Sequence, residues 1–417
     1  MVIVIPIVVY GDFQIFAGMV DEVNYKVVIV GGGSAGISVA ARLAKGAPDL
    51  KGKILIVDPA KKHYYQPLWT LAGAGAVKKE VTVRDQQSLI PVGVELLQEA
   101  VTSIDADSNS LTTGNGTEIH YDFLVMAAGI QIDWDKIKGL KEAIGKDGVC
   151  SNYSYDYVDS TWESIQNFKG GNAIFTHPNT PIKCGGAPQK IMYLADDAFR
   201  KAGVRDKSQI IFASASDSVF AVKKYANTLE QVIARKGITT KYKMNLIEVD
   251  SADKLAVFEN SGTGETEKIP YSMLHVVPPM SAPDFIAQSK LADAGGWVDV
   301  DSKTLQSKKY SNVFGVGDCA NLPTSKTGAA IRKQAPVAAG NLLSYMKNQS
   351  LKLSYDGYTS CPLITGYNKL VLAEFLYENK PAETFPFDQS KERYSMYILK
   401  KNILPFMYWK GMLKGIM

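Results

Sequence analysis

The chain has 417 residues, 46% of them apolar, and a formal net charge of +4. That length holds two or three domains, and the charge is too small and dispersed to argue for nucleic acid. Four unclustered histidines, and four cysteines without a C-x-x-C pair, argue against a metal site. Cys150, Cys184, Cys319 and Cys361 are too scattered for a disulfide-stapled secreted scaffold, so a disulfide here would be catalytic rather than structural.

The opening run MVIVIPIVVYGDF is apolar but falls short of the ~20 residues that span a bilayer. Asp12, Asp21 and Glu22 precede the first basic residue, Lys26, which suits neither a secretory signal nor a mitochondrial presequence. Met19 offers an alternative start.

Residues 26–46 read KVVIVGGGSAGISVAARLAKG. Lys26 to Val30 is a buried-strand pattern, followed by Gly31-x-Gly33-Ser34-Ala35-Gly36 and a helical pattern; the next strand, KILIVD, ends at Asp58. This is a dinucleotide fingerprint in its required context. Gly31 permits the tight turn, Gly33 the approach of a pyrophosphate, and Gly36 close helix–strand packing, while Asp58 accepts from a ribose hydroxyl.

Two later segments point to FAD. YDFLVMAAG is a strand closing at Gly129, and YSNVFGVGDCA is a strand followed by Gly-Asp. Together with the fingerprint they look like the set found in flavoproteins with two dinucleotide-binding domains, where the second segment carries an Asp, here Asp318, to the ribityl chain. Alone, Asp318 reads equally as a helix N-cap. The helix in SKTGAAIRKQAPVAAGNLL would aim its positive end at the isoalloxazine and favour the reduced, anionic flavin. A second glycine motif is expected at QIIFASASDSVF, residues 209–220, but Ser214 and Ser216 stand where glycines would be. This argues against a nicotinamide cofactor.

Two cysteines sit in loops shaped by glycine and proline: Cys184 in TPIKCGGAPQK and Cys361 in YDGYTSCPLITGYNK. They read either as a redox pair beside the flavin or as two independent structural thiols. Lys183, next to Cys184, either favours its thiolate or is simply solvated. From Arg393 onward there are no acidic residues, and YSMYILKKNILPFMYWKGMLKGIM mixes aromatic and apolar side chains with lysines. Pro405 should divide this tail into two short helices, which read as an interfacial membrane anchor or as helices packed on the core or in a dimer interface.

The stretches VVIVGGGSAGISVAARL, HYYQPLWTLAGAG, NTPIKCGGAPQKIMYLAD, LHVVPPMSAPD, GWVDVD, VFGVGDCANLPTSKT, YDGYTSCPLITGYNK and ETFPFDQSKERYSMY, covering residues 26 to about 410, resemble the sulfide:quinone oxidoreductase family, in particular its mitochondrial branch. The resemblance implies an α/β fold with two Rossmann-like domains. An FAD domain would comprise 26–135 and 295–350, a second domain lacking the glycine fingerprint 150–294, and a C-terminal region with a redox loop and a membrane-associating tail 351–417. It implies a Cys184–Cys361 disulfide that HS⁻ opens, leaving Cys361 as a persulfide and Cys184 as a thiolate that reduces FAD. The sulfane sulfur would go to glutathione, sulfite, coenzyme A or sulfide, and the electrons to ubiquinone or menaquinone. FAD contacts would include Gly31, Gly33, Ser34, Ala35, Gly36, Asp58, Gln66, Val101, Gly129, Asp318, Lys326, Thr327, Gly328 and Ala329. Cys150 departs from the mitochondrial pattern and reads as an accessory thiol or a bystander; Cys319 reads as a small core residue. The implied location is peripheral, at the mitochondrial inner membrane in a eukaryote or the cytoplasmic membrane in a bacterium, with self-association left open. The alternatives are a type II NADH:quinone dehydrogenase and a non-catalytic, flavin-bound sulfide or redox sensor.

Overall fold

The computed structural model describes residues 23–417, so the apolar opening run and the Met19 start lie outside the described residues. The first strand, Val23–Val30, is fully buried over Val27–Val30 and pairs in parallel with Ile54–Val57 on one side and Glu118–Met126 on the other. A strand covered on both faces needs an unbroken apolar run, and VVIV supplies it. Val94–Leu97 extends the sheet in parallel at one edge; Ser110–Thr113 and Val101–Asp105 extend it in antiparallel sense at the other. Val313–Gly315 returns from far along the chain as a second parallel neighbour of Glu118–Met126. The first domain is thus built from two separate stretches, and its helix Ser34–Gly46 packs on Gly328–Met346 from the second stretch.

The second sheet is all parallel, in the order Val149–Cys150, Met273–His275, Gly171–His177, Ser208–Ser214, Thr239–Tyr242. Here the structure differs by one strand from the sequence reading. The strand that opens the first strand–turn–helix unit is Gly171–His177, followed by the turn 178–186 and the helix Ala187–Lys201. Ser208–Ser214 is the next strand along. Gly170 and Gly171 at its start and the prolines after its end disguise Gly171–His177 as loop. The turn 178–186 has no G-x-G-x-x-G either, and it houses Cys184.

Beyond these sheets, Thr359–Gly366 and Lys369–Phe375 form an antiparallel hairpin with Cys361 opposite Ala373. The hairpin packs on Ala187–Lys201, which carries Cys361 to the second domain's first turn. The expected break at Pro405 does not occur. Tyr394 to Met412 is one helical run containing two π turns, Leu399–Ile403 and Tyr408–Met412. Pro405 is the second residue after the first, wider turn, where the loss of its N–H is absorbed without ending the helix. Among the described residues, no helix is long and apolar enough to cross a membrane.

Candidate active site

Sterics dictate the glycine turn. Gly31 has φ +105°, and a Cβ there would sit 2.4 Å from the Ala127 carbonyl oxygen; one on Gly36 would sit 1.8 Å from the Gly31 carbonyl oxygen. The Cβ direction of Gly33 is open, so the backbone at the start of helix Ser34–Gly46 is approachable, as a pyrophosphate requires. Asp58 braces the same turn, accepting from the Gly32 N–H at 2.5 Å and from the Ala60 N–H at 2.7 Å. Ala35 is buried and packs beneath Gly317 of the second FAD segment.

A cavity of about 390 Å³ opens beside this turn. Ser34, Gln66, Cys184, Asp318 and Lys326 to Ala329 all border it. The Thr327 hydroxyl accepts from the Ala330 N–H at 3.1 Å and caps the helix Gly328–Met346, whose positive end therefore faces the cavity. Lys326 donates to the carbonyls of Asp318 and Ala320, pinning the Gly-Asp segment. Burial raises the Asp318 carboxyl and lowers the Lys326 ammonium. An open phosphate-binding turn and a helix N-terminus at one cavity fit FAD. Gly129, at φ +76°, flanks the turn with free space around it, whereas Val101 is buried at the start of its strand and does not border the cavity.

The two loop cysteines meet. Cys184 and Cys361 lie 3.6 Å apart, sulfur to sulfur, as free thiols in contact. Cys184 borders the cavity; Cys361 is buried behind it, between the cavity-lining Ser360 and Pro362. Cys184 holds a left-handed backbone at φ +57°, a strain of about 1–3 kcal/mol for a non-glycine residue. Its N–H donates to the Lys326 carbonyl, and its carbonyl accepts from the Ala187 N–H, which fixes the turn. Gly186 makes room for the pair: a Cβ there would sit 2.5 Å from the Cys361 sulfur.

The partner of Cys184 is Lys190, not Lys183. Lys190 Nζ donates to the Cys184 sulfur at 3.1 Å. Lys183 instead turns to the Tyr153 carbonyl, at 2.9 Å, and lies over the Trp69 ring. The S–H of Cys361, followed by the Lys190 charge, holds the Cys184 thiol well below its ordinary range, whereas Cys361 is pushed up by the Cys184 sulfur and by burial. With the Lys190 ammonium at 3.1 Å, Cys184 is the sulfur of the pair placed to carry negative charge. Burial opposes the Lys190 charge, but the cysteine sulfurs outweigh it and its ammonium is strengthened.

Lys190 was legible as an oddity, a charge within the otherwise buried stretch Ala187–Ala195. Lys400, from the tail helix, also borders the cavity, and burial followed by Lys190 lowers it to about 7. No spacing rule links residue 400 to residue 184. A third unforeseen group is Glu374, a buried carboxylate on the cavity wall that accepts from Tyr358, Thr384 and Gln389. Cys150 lies wholly buried and away from the cavity, its thiol pushed up to about 12 by burial. Cys319 is buried with its S–H toward the Met126 carbonyl. Among the described residues no cluster of potential metal ligands occurs.

A dinucleotide fold joined to a cysteine pair defines a flavin-dependent disulfide oxidoreductase. Residues 25–160 match the Pyridine nucleotide-disulphide oxidoreductase family. The chain is 52% identical over 410 residues to mouse mitochondrial sulfide:quinone oxidoreductase, covering 97% of this chain and 90% of that protein. It is 50% identical to the Dictyostelium discoideum mitochondrial sulfide:quinone oxidoreductase, covering 94% and 86%. The sulfide:quinone oxidoreductase of Aquifex aeolicus shares the fold, with a TM-score of 0.80 at 22% identity over 94% of this chain and 92% of that one. The chain belongs to the sulfide:quinone oxidoreductase family, and its cofactor is FAD.

Proposed function

We propose that this chain oxidises hydrogen sulfide and passes the electrons to a quinone, with Cys184 and Cys361 as its redox pair. The single observation that carries this reading is the 3.6 Å contact of two thiols, one beside Lys190, at the edge of the cavity. In the oxidised enzyme the two sulfurs are bonded. HS⁻ attacks the Cys361 sulfur; the S–S bond breaks, Cys361 becomes a persulfide, and Cys184 leaves as a thiolate stabilised by the Lys190 ammonium. A nucleophile such as glutathione, coenzyme A, sulfite or a second sulfide removes the outer sulfur and leaves a Cys361 thiol. The dithiol then gives up two electrons and its proton as the S–S bond re-forms. FAD, held by the turn 31–36 and by Asp318 and Lys326 to Ala329, would supply the two-electron acceptor at this cavity, with ubiquinone or menaquinone as the outlet. Position divides the labour: Cys184 faces the cavity, from which electrons leave, and Cys361 holds the sulfur behind it. The Lys190 and Lys400 ammoniums draw anions toward the pair.

The tail helix supports work at a membrane surface. Ile403 and Phe406 of the helix and Ile416 just beyond its end are exposed, beside Lys401, Lys410 and Lys414, while Lys400, Tyr408 and Met412 turn inward. Relatives named as mitochondrial proteins support placing the protein in the mitochondrion, and the proposed surface there is the inner membrane.

The test is anaerobic. Sulfide added to the oxidised holoprotein should bleach the flavin, and a short-chain quinone should restore it; Cys184→Ser should do neither. A flavin that ignores sulfide and bleaches with NADH would sink the reading in favour of a type II NADH:quinone dehydrogenase. A flavin that sulfide bleaches but no quinone restores would favour a sensor.

A further inference from the structure

The HYYQPLWT box and the tail have a meeting point that the sulfide chemistry does not use. Tyr408 of the tail helix is buried, with its hydroxyl 2.6 Å from the Ser34 hydroxyl and 2.5 Å from His63 Nε2. His63 is buried too, and its Nδ1 lies 3.1 Å from the Gly32 carbonyl oxygen. The proton positions follow from these neighbours. A carbonyl only accepts, so Nδ1 carries the hydrogen and Nε2 is a bare acceptor. Tyr408 must then donate to His63, and its oxygen is left to accept from Ser34. The result is a one-way chain, Ser34 to Tyr408 to His63 to Gly32, that begins and ends on the dinucleotide turn. Burial lowers the His63 ring's proton affinity, which agrees with its neutral form.

Packing holds the chain in place. The Tyr65 and Tyr408 rings lie 4.5 Å apart, Trp409 packs beside Tyr65, and Arg84 covers Trp409 at 5.0 Å. The same helix lines the cavity with Leu404, Met407 and Met412. Its seating on Ser34 therefore closes the space that runs from the glycine turn to the cysteine pair.

Resting on the reading of that space as the FAD site, we propose that Tyr408 and His63 are positioning residues for FAD: they latch the tail helix over the phosphate-binding turn, and the cofactor leaves only when this helix lifts. Neither residue touches the reacting sulfurs. Their removal should change how long FAD stays, ahead of how fast sulfide reacts.

The test measures FAD release from the purified holoprotein, as the rise of free-flavin fluorescence after dilution, for wild type, Tyr408→Phe, His63→Gln and the double variant. Tyr408→Phe keeps the ring and loses only the hydroxyl. Each single variant should release FAD about tenfold faster, the effect of one buried hydrogen bond. The double variant should be no faster than either single one, because both break one chain. Unchanged or slower release would overturn the proposal, since Tyr408 would then merely occupy the place the phosphates take. Additive effects would overturn the chain. A variant purifying without flavin is titrated with FAD, and affinity equal to wild type would also overturn it. A wild-type protein without flavin would instead refute the functional reading above, before the latch is tested.

Discussion

Two turns, one in each of the two large sheets, join a parallel strand to the helix that follows it, and they use backbone freedom in opposite ways. In the turn 31–36 the residue with positive φ is a glycine, and Gly36 lets the helix approach the turn's own carbonyl. Gly33 carries no side chain, so the N–H groups at the start of the helix stay approachable for phosphate, while Asp58 holds the Gly32 N–H. In the turn 178–186 the residue with positive φ is Cys184 itself, and the glycine that makes room, Gly186, does so for a sulfur from a distant hairpin. A strand's C-terminal end is where such folds present ligands. One turn presents backbone to a cofactor; the other presents a nucleophile to a second cysteine.

The comparison breaks most visibly at the sulfurs. Cys184→Ser and Cys361→Ser should each lower sulfide-dependent quinone reduction by about 10³-fold or more, with flavin content unchanged, because the pair acts as a unit. Retention of a tenth of the activity by either variant, in a quinone-reduction assay, would mean the cysteines are not the redox pair. The two glycines sharpen the contrast. Gly36→Ala should purify largely without flavin, since its Cβ meets backbone that cannot yield. Gly186→Ala should keep its flavin, because its Cβ meets only the Cys361 sulfur and Leu363. Overpacking of about 1–3 kcal/mol there should slow flavin bleaching by sulfide roughly tenfold to hundredfold. Absorbance of the purified proteins, then stopped-flow mixing with sulfide, separates the two outcomes.

What could be read from the sequence follows the same division. The first turn was legible because its strand, glycines, helix and acid are contiguous and each has a local steric reason. The second was recognised as unusual from Cys184 between glycines and prolines, but its strand was misplaced by one, since Gly170–Gly171 and the prolines after His177 hide a short parallel strand. Adjacency offers Lys183 either as a partner of the Cys184 thiolate or as a solvated charge, yet it turns to the Tyr153 carbonyl, and the helix that follows delivers Lys190 to the sulfur. Lys400, Tyr408 and His63 were beyond reach, because their roles arise from the tail folding back across the whole chain. Pro405 misled for a related reason: a π turn just before it absorbs what an α-helix would not.

Lys190 should be the largest of the charge effects. Lys190→Met removes the ammonium that holds Cys184 as a thiolate, so the Cys184 thiol must titrate higher. The rising limb of the sulfide reaction should move toward alkaline pH, with a loss of about tenfold at neutral pH, the scale of one charge-assisted hydrogen bond. Activity should recover as pH rises, and Lys190→Arg should restore much of it at neutral pH. A Lys190→Met pH profile superimposable on wild type would show that the contact does not set the thiolate.

Lys400 gives the smallest and most discriminating effect, because it belongs to neither turn. Burial and the Lys190 charge lower it to about 7, so its ammonium is present below neutral pH and lost above it. Its attraction for an incoming HS⁻ must therefore fade as pH rises through that value. The fraction of sulfide present as HS⁻ also changes with pH, but it changes identically for every variant and cancels in a ratio. The ratio of the sulfide KM of Lys400→Met to that of wild type should be about three near pH 6 and should approach one near pH 8.5, the weak response expected of one ammonium in a cavity open to water. A ratio of one at every pH would mean that Lys400 only packs the tail against the site. A ratio that stays near three up to pH 8.5 would mean that Lys400 keeps its proton despite burial, the cysteine sulfurs outweighing the Lys190 charge.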